Sequence, residues 1–489
     1  MARSSRISLP LTSLAILLAA AVAPRASASG FQLRDQSGSG QGNAYAGASA
    51  GGADISSMFF NPATLTRYEG DQLQFGLTEI LPSSKFSDGV SSRTGSAVPV
   101  GGAASTGNVA KSATLPTLYA MWSLDNDLKL GISVNVPFGL TTQYDPNWAG
   151  RYLAVKSHLE TLDITPTLAY RMTPKWSMGV ALVARRAKAE LSQAIDSGYA
   201  AQTALQGAHL VNPTNPATGQ PIVSPGAGTD GFVDVRGSSW AYGYKLGLIY
   251  EPSASIHLGL GYQSEIRETI KGSATFTTPA IPAQVPAALQ AANPGALPGT
   301  VNNVLTSLAL ATTNNSASAV VNLPATISLG MIYDVSSTFS LAAEISDTKW
   351  SSFKELRVKF NNAATQPDQY TTENWKDALF VALGATCKPG NAWTYRVGVA
   401  LDNTPVPDAN RTPRIPDADR FWISGGVGYQ FTKSFGMDAG YSHLICKNST
   451  VNLQSGSDPT DQGKFFGGNL SGTYKNTIDI LAVQARYTF

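Results

Sequence analysis

Charged residues and long apolar runs are both scarce in this chain. Only 14% of its 489 residues are Asp, Glu, Lys or Arg, whereas soluble domains average about 25%. After the N-terminal segment, no run of about 18 apolar residues occurs, which excludes transmembrane helices. A low-charge chain with 46 Gly and no long apolar run is typical of a transmembrane β-barrel, whose apolar residues alternate with polar ones.

Residues that would carry enzymatic or nucleic-acid chemistry are also few. The four His are scattered without H-E-x-x-H spacing, and neither a G-x-S-x-G elbow nor a Walker-type loop occurs. Lys and Arg nearly balance Asp and Glu, 35 against 33, which gives no support for nucleic-acid binding. We therefore expect neither an enzyme nor a nucleic-acid-binding protein, and no metal or other cofactor.

The N-terminus has the pattern of a secretory signal peptide. Arg3 and Arg6 precede an apolar core over residues 9–23, and residues 26–28 read Ala-Ser-Ala, a typical cleavage site. We therefore predict a signal peptide over residues 1–28 and an exported mature chain.

Alternating apolar residues predict long strands. From Ile256 to Tyr262 every second residue is large and apolar, and most odd positions from Phe421 to Phe431 are apolar or aromatic. Such runs reach about 10 residues, whereas strands of globular proteins usually have about 5–6. Their length favours membrane-spanning strands over a soluble β-sandwich.

About fourteen such segments follow one another along the chain. Short turns, such as residues 125–127 and 432–434, alternate with long connections, such as residues 194–231 and 277–317. Short periplasmic turns and long external loops are typical of outer-membrane barrels with an even strand number. We predict an all-β protein, a 14-stranded antiparallel transmembrane β-barrel over residues 70–489 in the outer membrane of a Gram-negative cell.

The last predicted strand ends in an aromatic residue. Counting back by twos from Phe489, the positions are apolar or aromatic as far as Leu481, and most residues between them are polar. This pattern resembles the signal that the outer-membrane assembly machinery reads, so we expect that machinery as a partner. A barrel of this kind also predicts contact with outer-membrane lipids and lipopolysaccharide, and we expect a monomer.

Residues 29–69 lack the strand pattern. Their frequent glycines weaken any regular element, but Phe31, Tyr45 and Phe60 are among several large apolar residues that a solvated tail would not carry. A 14-stranded barrel has a lumen wider than its own side chains fill. We predict that residues 29–69 form a small hatch that plugs the barrel.

Four stretches resemble a known family. Residues 29–33 (SGFQL), residues 41–47 (QGNAYAG) and Asn61-Pro62-Ala63 are similar to the N-terminal hatch of the FadL family, outer-membrane transporters of long-chain fatty acids and other hydrophobic compounds. Residues 402–422 resemble a C-terminal stretch of the same family. The resemblance implies a plugged 14-stranded barrel that binds a hydrophobic ligand in its lumen. It also implies passive uptake, with lateral exit through the wall.

The third predicted strand contains residues that interrupt strand pairing. Pro137 cannot donate a ladder hydrogen bond, and Gly139 permits a bend or bulge beside Phe138. From the residues alone, a strand that simply ends at the membrane surface is equally compatible. The family keeps an inward kink with a glycine at the matching position, so the resemblance implies a lateral opening at Pro137, Phe138 and Gly139.

The resemblance also implies ligand contacts in the hatch. Phe31 matches a phenylalanine that reaches into the substrate pocket of the family, although a purely structural anchor is compatible with the same residue. Asn61, Pro62 and Ala63 are assigned to the hatch and pocket, chiefly as a turn that shapes the hatch.

The identity of the ligand stays open between two classes. Fatty-acid transporters of the family have basic residues at the carboxylate site, but the matching positions here are Leu191 and Thr371. Arg185, Arg186 and Lys188 lie nearby and are candidate headgroup contacts, unless they face water above the membrane.

The first class of ligand is a long-chain fatty acid, and the second is an aromatic or aliphatic hydrocarbon, as for the TodX-like branch. A surface receptor or adhesin is the alternative from another functional class. The predicted hatch argues against it, because an adhesin needs no plug.

The two cysteines are predicted to be unpaired, although export alone suggests a disulfide. Cys387 falls at the periplasmic end of the tenth predicted strand, and Cys446 lies far along the thirteenth. At about 3.3 Å per residue they differ greatly in height, whereas a disulfide needs Cα atoms within about 7 Å. We therefore predict two free thiols.

Overall fold

The computed structural model describes residues 30–93, 98–216, 219–223, 230–279, 284–297, 299–364, 366–455 and 467–489. The predicted signal peptide, residues 1–28, lies outside them. Within these ranges, no helix is long and apolar enough to cross a membrane.

Twenty β segments form one continuous wall. They are β1 (Gln72–Ser92), β2 (Ala113–Ser123), β3 (Leu128–Asn135), β4 (Gly139–Gln143), β5 (Lys156–Thr173), β6 (Trp176–Ile195), β7 (Gly231–Ser253), β8 (Ile256–Gln263), β9 (Ile266–Thr277), β10 (Asn315–Leu323), β11 (Thr326–Asp334), β12 (Phe339–Thr348), β13 (Glu355–Phe360), β14 (Gln369–Thr372), β15 (Ala378–Cys387), β16 (Trp393–Asp402), β17 (Arg420–Gln430), β18 (Phe435–Cys446), β19 (Ser449–Leu453) and β20 (Asn469–Thr488). Six pairs of segments continue each other across short breaks: β3 and β4, β8 and β9, β10 and β11, β12 and β13, β14 and β15, and β18 and β19. The described segments therefore make fourteen antiparallel strands, as predicted.

The first and last strands close the barrel. β1 pairs with β20 from Gln72↔Thr488 to Ser92↔Asn469, and the other strands pair with their sequence neighbours. Closure matters because no water in the bilayer core can satisfy unpaired backbone groups. The predicted closed barrel is confirmed.

Alternation along each strand separates a lipid face from a lumen face. On β20, Leu481, Val483 and Tyr487 are exposed, whereas Ala482 and Gln484 are buried. Lipid solvates the first set, and the hatch and the neighbouring inward side chains cover the second. The alternation predicted for the C-terminal strand is therefore confirmed.

Both cysteines are free. Cys446 pairs across the wall with Arg420, which pairs with Asp402, which pairs with Phe380. Phe380 lies on the same strand as Cys387 but seven residues away, which corresponds to roughly 20 Å along the strand. The prediction of two free thiols is confirmed, because strand order and height both keep the sulfurs apart.

Residues 30–69 fill the lumen with short helical turns. These are α1 (Gly38–Gly42) and the 3-10 helices Ala48–Ala50, Ile55–Phe59 and Pro62–Arg67. The caps explain where three of them start: the side chains of Ser37, Asp54 and Asn61 accept hydrogen bonds from backbone N–H groups of Gly40, Ser56 and Ala63. We call residues 30–69 the hatch.

Inward-facing glycines allow the hatch backbone to lie directly on the wall. A Cβ atom at Gly259 would collide with the carbonyl of Ser49, and one at Gly398 with the carbonyl of Asn43. Hatch atoms meet other wall glycines in the same way, namely Gly179, Gly247, Gly261, Gly330, Gly384, Gly426 and Gly440. At these glycines the hatch therefore packs directly against the backbone of the wall.

Buried carboxylates also attach the hatch. Asp54 accepts hydrogen bonds from Ser39 Oγ at 2.5 Å and from Gln484 Nε2 at 2.6 Å. Glu344 on β12 accepts hydrogen bonds from both the N–H and the hydroxyl of Ser49. Because buried polar groups are costly without partners, these bonds fix how the hatch sits in the barrel.

Substitution of two adjacent glycines on β17 tests how closely the hatch packs against the wall. Gly426 faces the hatch, and a Cβ there would lie 2.6 Å from Gly42 Cα, whereas a Cβ at Gly425 meets nothing within 4 Å. We expect Gly426→Ala to destabilise the seated hatch by about 1–3 kcal/mol through overpacking, and Gly425→Ala to leave it unchanged. Hydrogen exchange of residues 38–42 measures the difference; equal protection in the two variants would contradict the proposed packing.

The external loops carry the remaining helices. They are α2 (Ser197–Gly207), α3 (Gln284–Ala292) and α4 (Thr300–Ala311), with a 3-10 turn at Asp408–Asn410. Another 3-10 turn, Trp350–Ser352, lies in the break between β12 and β13. Leu205, Leu289 and Val301 pack together into an apolar cluster that joins the three helices above the barrel.

Candidate functional site

The third strand breaks at the predicted residues. β3 ends at Asn135 and β4 begins at Gly139. β3 pairs with β2 only as far as Leu118↔Val134, and β4 pairs with β5 but not with β2. Residues 113–117 of β2 therefore face a break in the ladder; we call this break the kink.

The ladder resumes above the kink. Lys111 N donates to Thr141 O at 3.1 Å, and Gln143 N donates to Val109 O at 2.8 Å. The kink is therefore a bounded window in the wall and not the free end of a strand.

The hatch replaces the missing strand partner. Gly139 N donates to Phe31 O at 3.0 Å, and Leu33 N donates to Pro137 O at 2.8 Å. On the other side, Thr161 N and its hydroxyl donate to Phe138 O. Backbone groups at this depth need protein partners, and the N-terminal end of the hatch supplies them.

Phe31 lies in an aromatic cluster next to the kink. Its ring centroid is 4.6 Å from that of Trp350, 5.5 Å from Trp375, 6.1 Å from Phe138 and 6.4 Å from Phe353. The contacts are edge-to-face, the geometry that aromatic pairs favour. We call these five residues the aromatic cluster.

Breaks in the wall bring the cluster together. Phe138 lies between β3 and β4, Trp350 and Phe353 lie between β12 and β13, and Trp375 lies between β14 and β15. Where the ladder is interrupted, the backbone can turn inward and place a large ring in the lumen. Interrupted strands therefore build the apolar centre of the site.

A pocket opens on the external side of the cluster. It is lined by Leu153, Leu191, Ser192, Gln193, Val233, Val235, Leu356, Val358, Gln369, Tyr370, Thr371, Thr412, Arg414 and Leu453. Leu356 also packs against the larger apolar cluster that contains the five rings, so the pocket adjoins that cluster. Leu191 and Thr371, the positions singled out in the sequence, both line this external pocket.

Arg414 brings a cation to the external pocket. Its Nη1 donates to Lys156 O at 3.3 Å and to Ser157 Oγ at 3.2 Å, and its Nη2 donates to Gln193 Oε1 at 2.6 Å. Burial lowers the pKa of the Arg414 guanidinium to about 10, which leaves it protonated at neutral pH. Sequence reasoning missed this residue, although it lies within the stretch 402–422 that carried the family resemblance.

The candidate headgroup residues on β6 are divided between the two faces of the wall. Arg185 is fully buried, and its Nε and Nη2 donate to both oxygens of Asp163 at 2.6 and 2.7 Å. Its guanidinium also lies 4.8 Å from the centre of the Phe138 ring. Arg185 is therefore charge-balanced and supports the kink.

Arg186 and Lys188 lie on the outer face of β6. The Arg186 guanidinium is over the exposed ring of Trp240, and Lys188 Nζ is 3.9 Å from Glu160. Strand alternation turns both side chains away from the external pocket.

The Asn61-Pro62-Ala63 turn lies deep in the hatch. Asn61 Oδ1 accepts a hydrogen bond from Ala63 N at 2.9 Å, and its Nδ2 donates to Ser49 O and Leu248 O. The turn starts a 3-10 helix and joins the hatch to β7, and none of its three residues lines the external pocket.

The composition of the site suits an apolar or amphipathic molecule. Aromatic rings form the part of the site next to the kink. The lining of the external pocket is half aliphatic and half polar, and it includes one arginine. Among the described residues, no group of three His, Cys, Asp or Glu side chains is placed to hold a metal ion.

Sequence comparison places the chain among transport proteins. Residues 19–489 match the family model described as outer membrane protein transport protein (OMPP1/FadL/TodX). The chain is 29% identical over 434 residues to the long-chain fatty acid transport protein of Salmonella typhi, covering 88% of this chain and 91% of that one. It is 28% identical to the 47 kDa outer membrane protein of Pasteurella multocida, covering 92% and 94%.

Solved structures share the architecture. A FadL homologue of Pseudomonas aeruginosa superposes with a TM-score of 0.77 at 26% identity, covering 94% of this chain and all of that one. The toluene transporter TodX of Pseudomonas putida gives a TM-score of 0.61 at 16% identity, a likeness of fold alone. The chain therefore belongs to the OMPP1/FadL/TodX family of outer-membrane transport proteins, as a 14-stranded β-barrel of the outer membrane that is a transporter and not an enzyme.

Proposed function

We propose that the protein takes up long-chain fatty acids or similar hydrophobic compounds passively, and that they leave sideways through the kink. One observation carries this proposal: Phe31 fills the aromatic cluster while its backbone carbonyl accepts a hydrogen bond from Gly139. A ligand that enters the cluster therefore acts directly on the window in the wall.

The energetics favour a lateral route over an axial one. Each CH₂ group that leaves water gains about 0.8 kcal/mol, so a ligand moves downhill from an apolar pocket to the bilayer. The axial route leads through the hatch, where Asp54, Gln484 and Arg486 form a buried polar network with Asp438. An alkyl chain gains nothing from crossing that network.

Competition for the cluster links binding to opening. A ligand that extends from the external pocket past Leu356 enters the apolar cluster to which Phe31 belongs, and it then competes with the Phe31 ring for space. Displacement of Phe31 would break the hydrogen bonds from Gly139 to Phe31 and from Leu33 to Pro137. The kink would then lose the partner that replaces β2, and the window would open.

A second break in the wall is a weaker candidate for the exit. The ladder of β7 stops at Ser238↔Lys271 on β9 and resumes at Lys245↔Gln263 on β8. The buried carboxylate of Glu268 lies at this break, and an apolar ligand would have to pass it. We favour the kink because the hatch bonds to its backbone through Phe31 and Leu33, so that a ligand which moves Phe31 acts on this break directly.

A neutral hydrocarbon is the second candidate ligand. The aromatic cluster consists of rings and would accept an apolar molecule without a headgroup. The toluene transporter TodX has the same fold, so the architecture suits this ligand class as well.

Several associated features stay predictions. They are a hatch that plugs the pore, division of the chain at residue 70, contact with lipopolysaccharide, recognition of Phe489 by the assembly machinery, and a monomeric state. The start of β1 at Gln72 supports the division.

Uptake in a Gram-negative host that lacks its own transporter tests the proposed function. Cells that express the chain should accumulate radiolabelled oleate, or a labelled hydrocarbon, faster than cells with an empty vector. If expressing cells accumulate neither probe faster than empty-vector cells do, the proposed function is wrong.

Phe31→Ala should raise ligand affinity, because the ligand no longer has to displace a ring from the cluster. Removal of a buried Phe costs about 3–5 kcal/mol of packing, and the ligand recovers part of it by filling the space. We expect the oleate Kd of the purified protein, measured by titration calorimetry, to fall by several-fold. Phe380→Ala is the control, since Phe380 packs on Trp422 in a cluster that shares no residue with the lining of the external pocket. An unchanged or higher Kd for Phe31→Ala would refute the competition.

A further inference from the structure

Five residues on neighbouring strands lie side by side across the wall. Lys188 on β6 pairs with Ser238 on β7, which pairs with Lys271 on β9. Lys271 pairs in turn with Ser318 on β10, which pairs with Lys359 on β13. Because neighbouring strands are about 4.8 Å apart, successive lysines are spaced about 10 Å apart. We call these five residues the lysine row.

The lysine row points away from the lumen. Its three lysines are exposed, whereas the residues that precede them in sequence, Ala187, Ile270 and Val358, are buried on the inner face. Consecutive side chains of a strand point to opposite faces. The ammonium groups therefore lie on the side of the wall that faces the membrane and its headgroups.

The row lies just above the apolar band of the barrel. Trp176 and Tyr250 stack near a short turn with ring centroids 4.3 Å apart, and Trp240 and Tyr242 are exposed farther up β7. Tyr250 and Trp240 are ten residues apart, which corresponds to roughly 25 Å across the membrane at the usual strand tilt, the height of the apolar band. Ser238 follows two residues beyond Trp240, at the level of the outer-leaflet headgroups.

The row rises as it crosses the outer face. Lys188 is 12 residues from Trp176, the first residue of β6, and Lys271 is 15 residues from Ile256, the first residue of β8. Both strands start at short turns on the same side of the barrel. The difference of three residues corresponds to roughly 7 Å in height, so the row presents charge at more than one depth of the headgroup layer.

Other basic residues near the row already have carboxylate partners. Arg236 Nη2 is 3.1 Å from Glu190 and 2.7 Å from Asp234, and Arg357 Nε is 2.6 Å from Glu355. These ion pairs leave little positive charge on either arginine for a further anion.

The lysines of the row are less well compensated. Lys188 Nζ is 3.9 Å from Glu160, and both side chains are more than half exposed, which makes the pair weak. Glu355 interacts electrostatically with Lys359, although its hydrogen bonds go to Arg357. Within the described part of the chain, Lys271 and Lys359 have no carboxylate within ion-pair distance.

The loops above the row supply no acidic residue. Residues 197–229 connect β6 to β7, and residues 278–314 connect β9 to β10, which are four of the five strands of the row. Neither segment contains an Asp, Glu, Lys or Arg. The loops that start and end at these strands therefore cannot neutralise the lysines, and the counter-charge must come from outside the chain.

We propose that the lysine row binds the phosphate groups of lipopolysaccharide and so holds one lipopolysaccharide molecule against this side of the barrel. Lysine binds phosphate as a point charge, and basic clusters beside a membrane recognise anionic lipid headgroups. The hydroxyls of Ser238 and Ser318 add hydrogen-bond donors between the cations. This proposal goes beyond the proposed uptake and does not depend on it, because the row lies outside the lumen.

The rise of the row favours lipopolysaccharide over a phospholipid. Lipid A has phosphates on its sugars, and the inner core adds anionic groups farther from the membrane. A phospholipid has one phosphate at one depth. Cations spaced about 10 Å apart along a rising line therefore match the larger headgroup.

Two double variants separate charge from wall structure. Lys271→Gln/Lys359→Gln removes the two lysines without an ion-pair partner, and Lys271→Arg/Lys359→Arg keeps their charge. Lys175→Gln/Lys433→Gln is the matched control, because it removes the same charge from exposed turns at the opposite end of the barrel. Heat-modifiable migration on gels checks that each variant is folded.

The probes are lipid A carrying two inner-core sugars, the same molecule without its phosphates, and phosphatidylglycerol. Their Kd values are measured with the purified full-length protein by native mass spectrometry. For Lys271→Gln/Lys359→Gln we expect the Kd of the phosphorylated probe to rise about tenfold to thirtyfold, the scale for two lysines beside an anionic headgroup. The Kd of the dephosphorylated probe should not change, and the Arg and control variants should match the wild type.

Three results would overturn the proposal. An unchanged Kd of the phosphorylated probe for the Gln variant would mean that the phosphates bind elsewhere. Equal weakening of the phosphorylated and dephosphorylated probes would mean that the lysines act through the structure of the wall. A wild-type protein that binds phosphatidylglycerol as tightly as the phosphorylated lipid A would make the row a general anionic surface.

Discussion

Replacing Pro137 with Val and Gly139 with Thr should abolish ligand uptake while the protein still reaches the outer membrane. The double variant restores a backbone N–H donor at residue 137 and favours extended strand at residue 139. The third strand can then pair with residues 113–117 of β2, which lack that partner now. We expect the initial rate of oleate uptake by intact cells to fall to the level of an empty vector.

Two controls make this result specific to the window. Pro82→Val changes a proline on β1 that already pairs with Ile478, and it should leave uptake unchanged. Purified Pro137→Val/Gly139→Thr protein should still bind oleate, because the external pocket does not include either residue. Undiminished uptake in the double variant would rule out exit through the kink.

Deleting residues 29–69 should convert the transporter into an open pore. The wall closes through β1 and β20 without help from the hatch, so the barrel should still assemble. The lumen of a 14-stranded barrel is wider than its own side chains fill, and water and ions would then occupy it. We expect a large increase in single-channel conductance in planar bilayers.

Heat-modifiable migration on gels provides the control that the shortened protein has folded. If conductance equals that of the intact protein although the barrel is folded, the hatch is not the element that occludes the lumen.

Local patterns explain why the barrel could be predicted from sequence. Residues 432–434 connect β17 and β18 as a short turn, and the alternation that ends at Phe489 appears as lipid-facing side chains on β20. Both features depend only on residues that are close together in the sequence. Strand number, closure and the free state of Cys387 and Cys446 follow from them.

The site was less predictable because it depends on contacts between distant strands. Pro137 and Gly139 signal one break, but the breaks that deliver Trp350 and Trp375 contain neither proline nor glycine. Arg414 was missed because its place in the pocket depends on bonds to Lys156 on β5 and Gln193 on β6, which are far from it in sequence. Arg186 was selected by proximity in sequence, whereas strand alternation places it on the outer face.

Photo-crosslinking with an oleate analogue that carries a diazirine at its terminal carbon tests lateral exit most directly. After illumination of the protein in membranes under transport conditions, mass spectrometry identifies the labelled residues. Lateral exit predicts labels on both sides of the kink, at Pro116 on β2 and at Phe138 and Leu140 on the third strand. Labels at Arg67 and Tyr68, at the end of the hatch next to β1, with none at the kink, would show that the ligand passes through the hatch and would contradict the account.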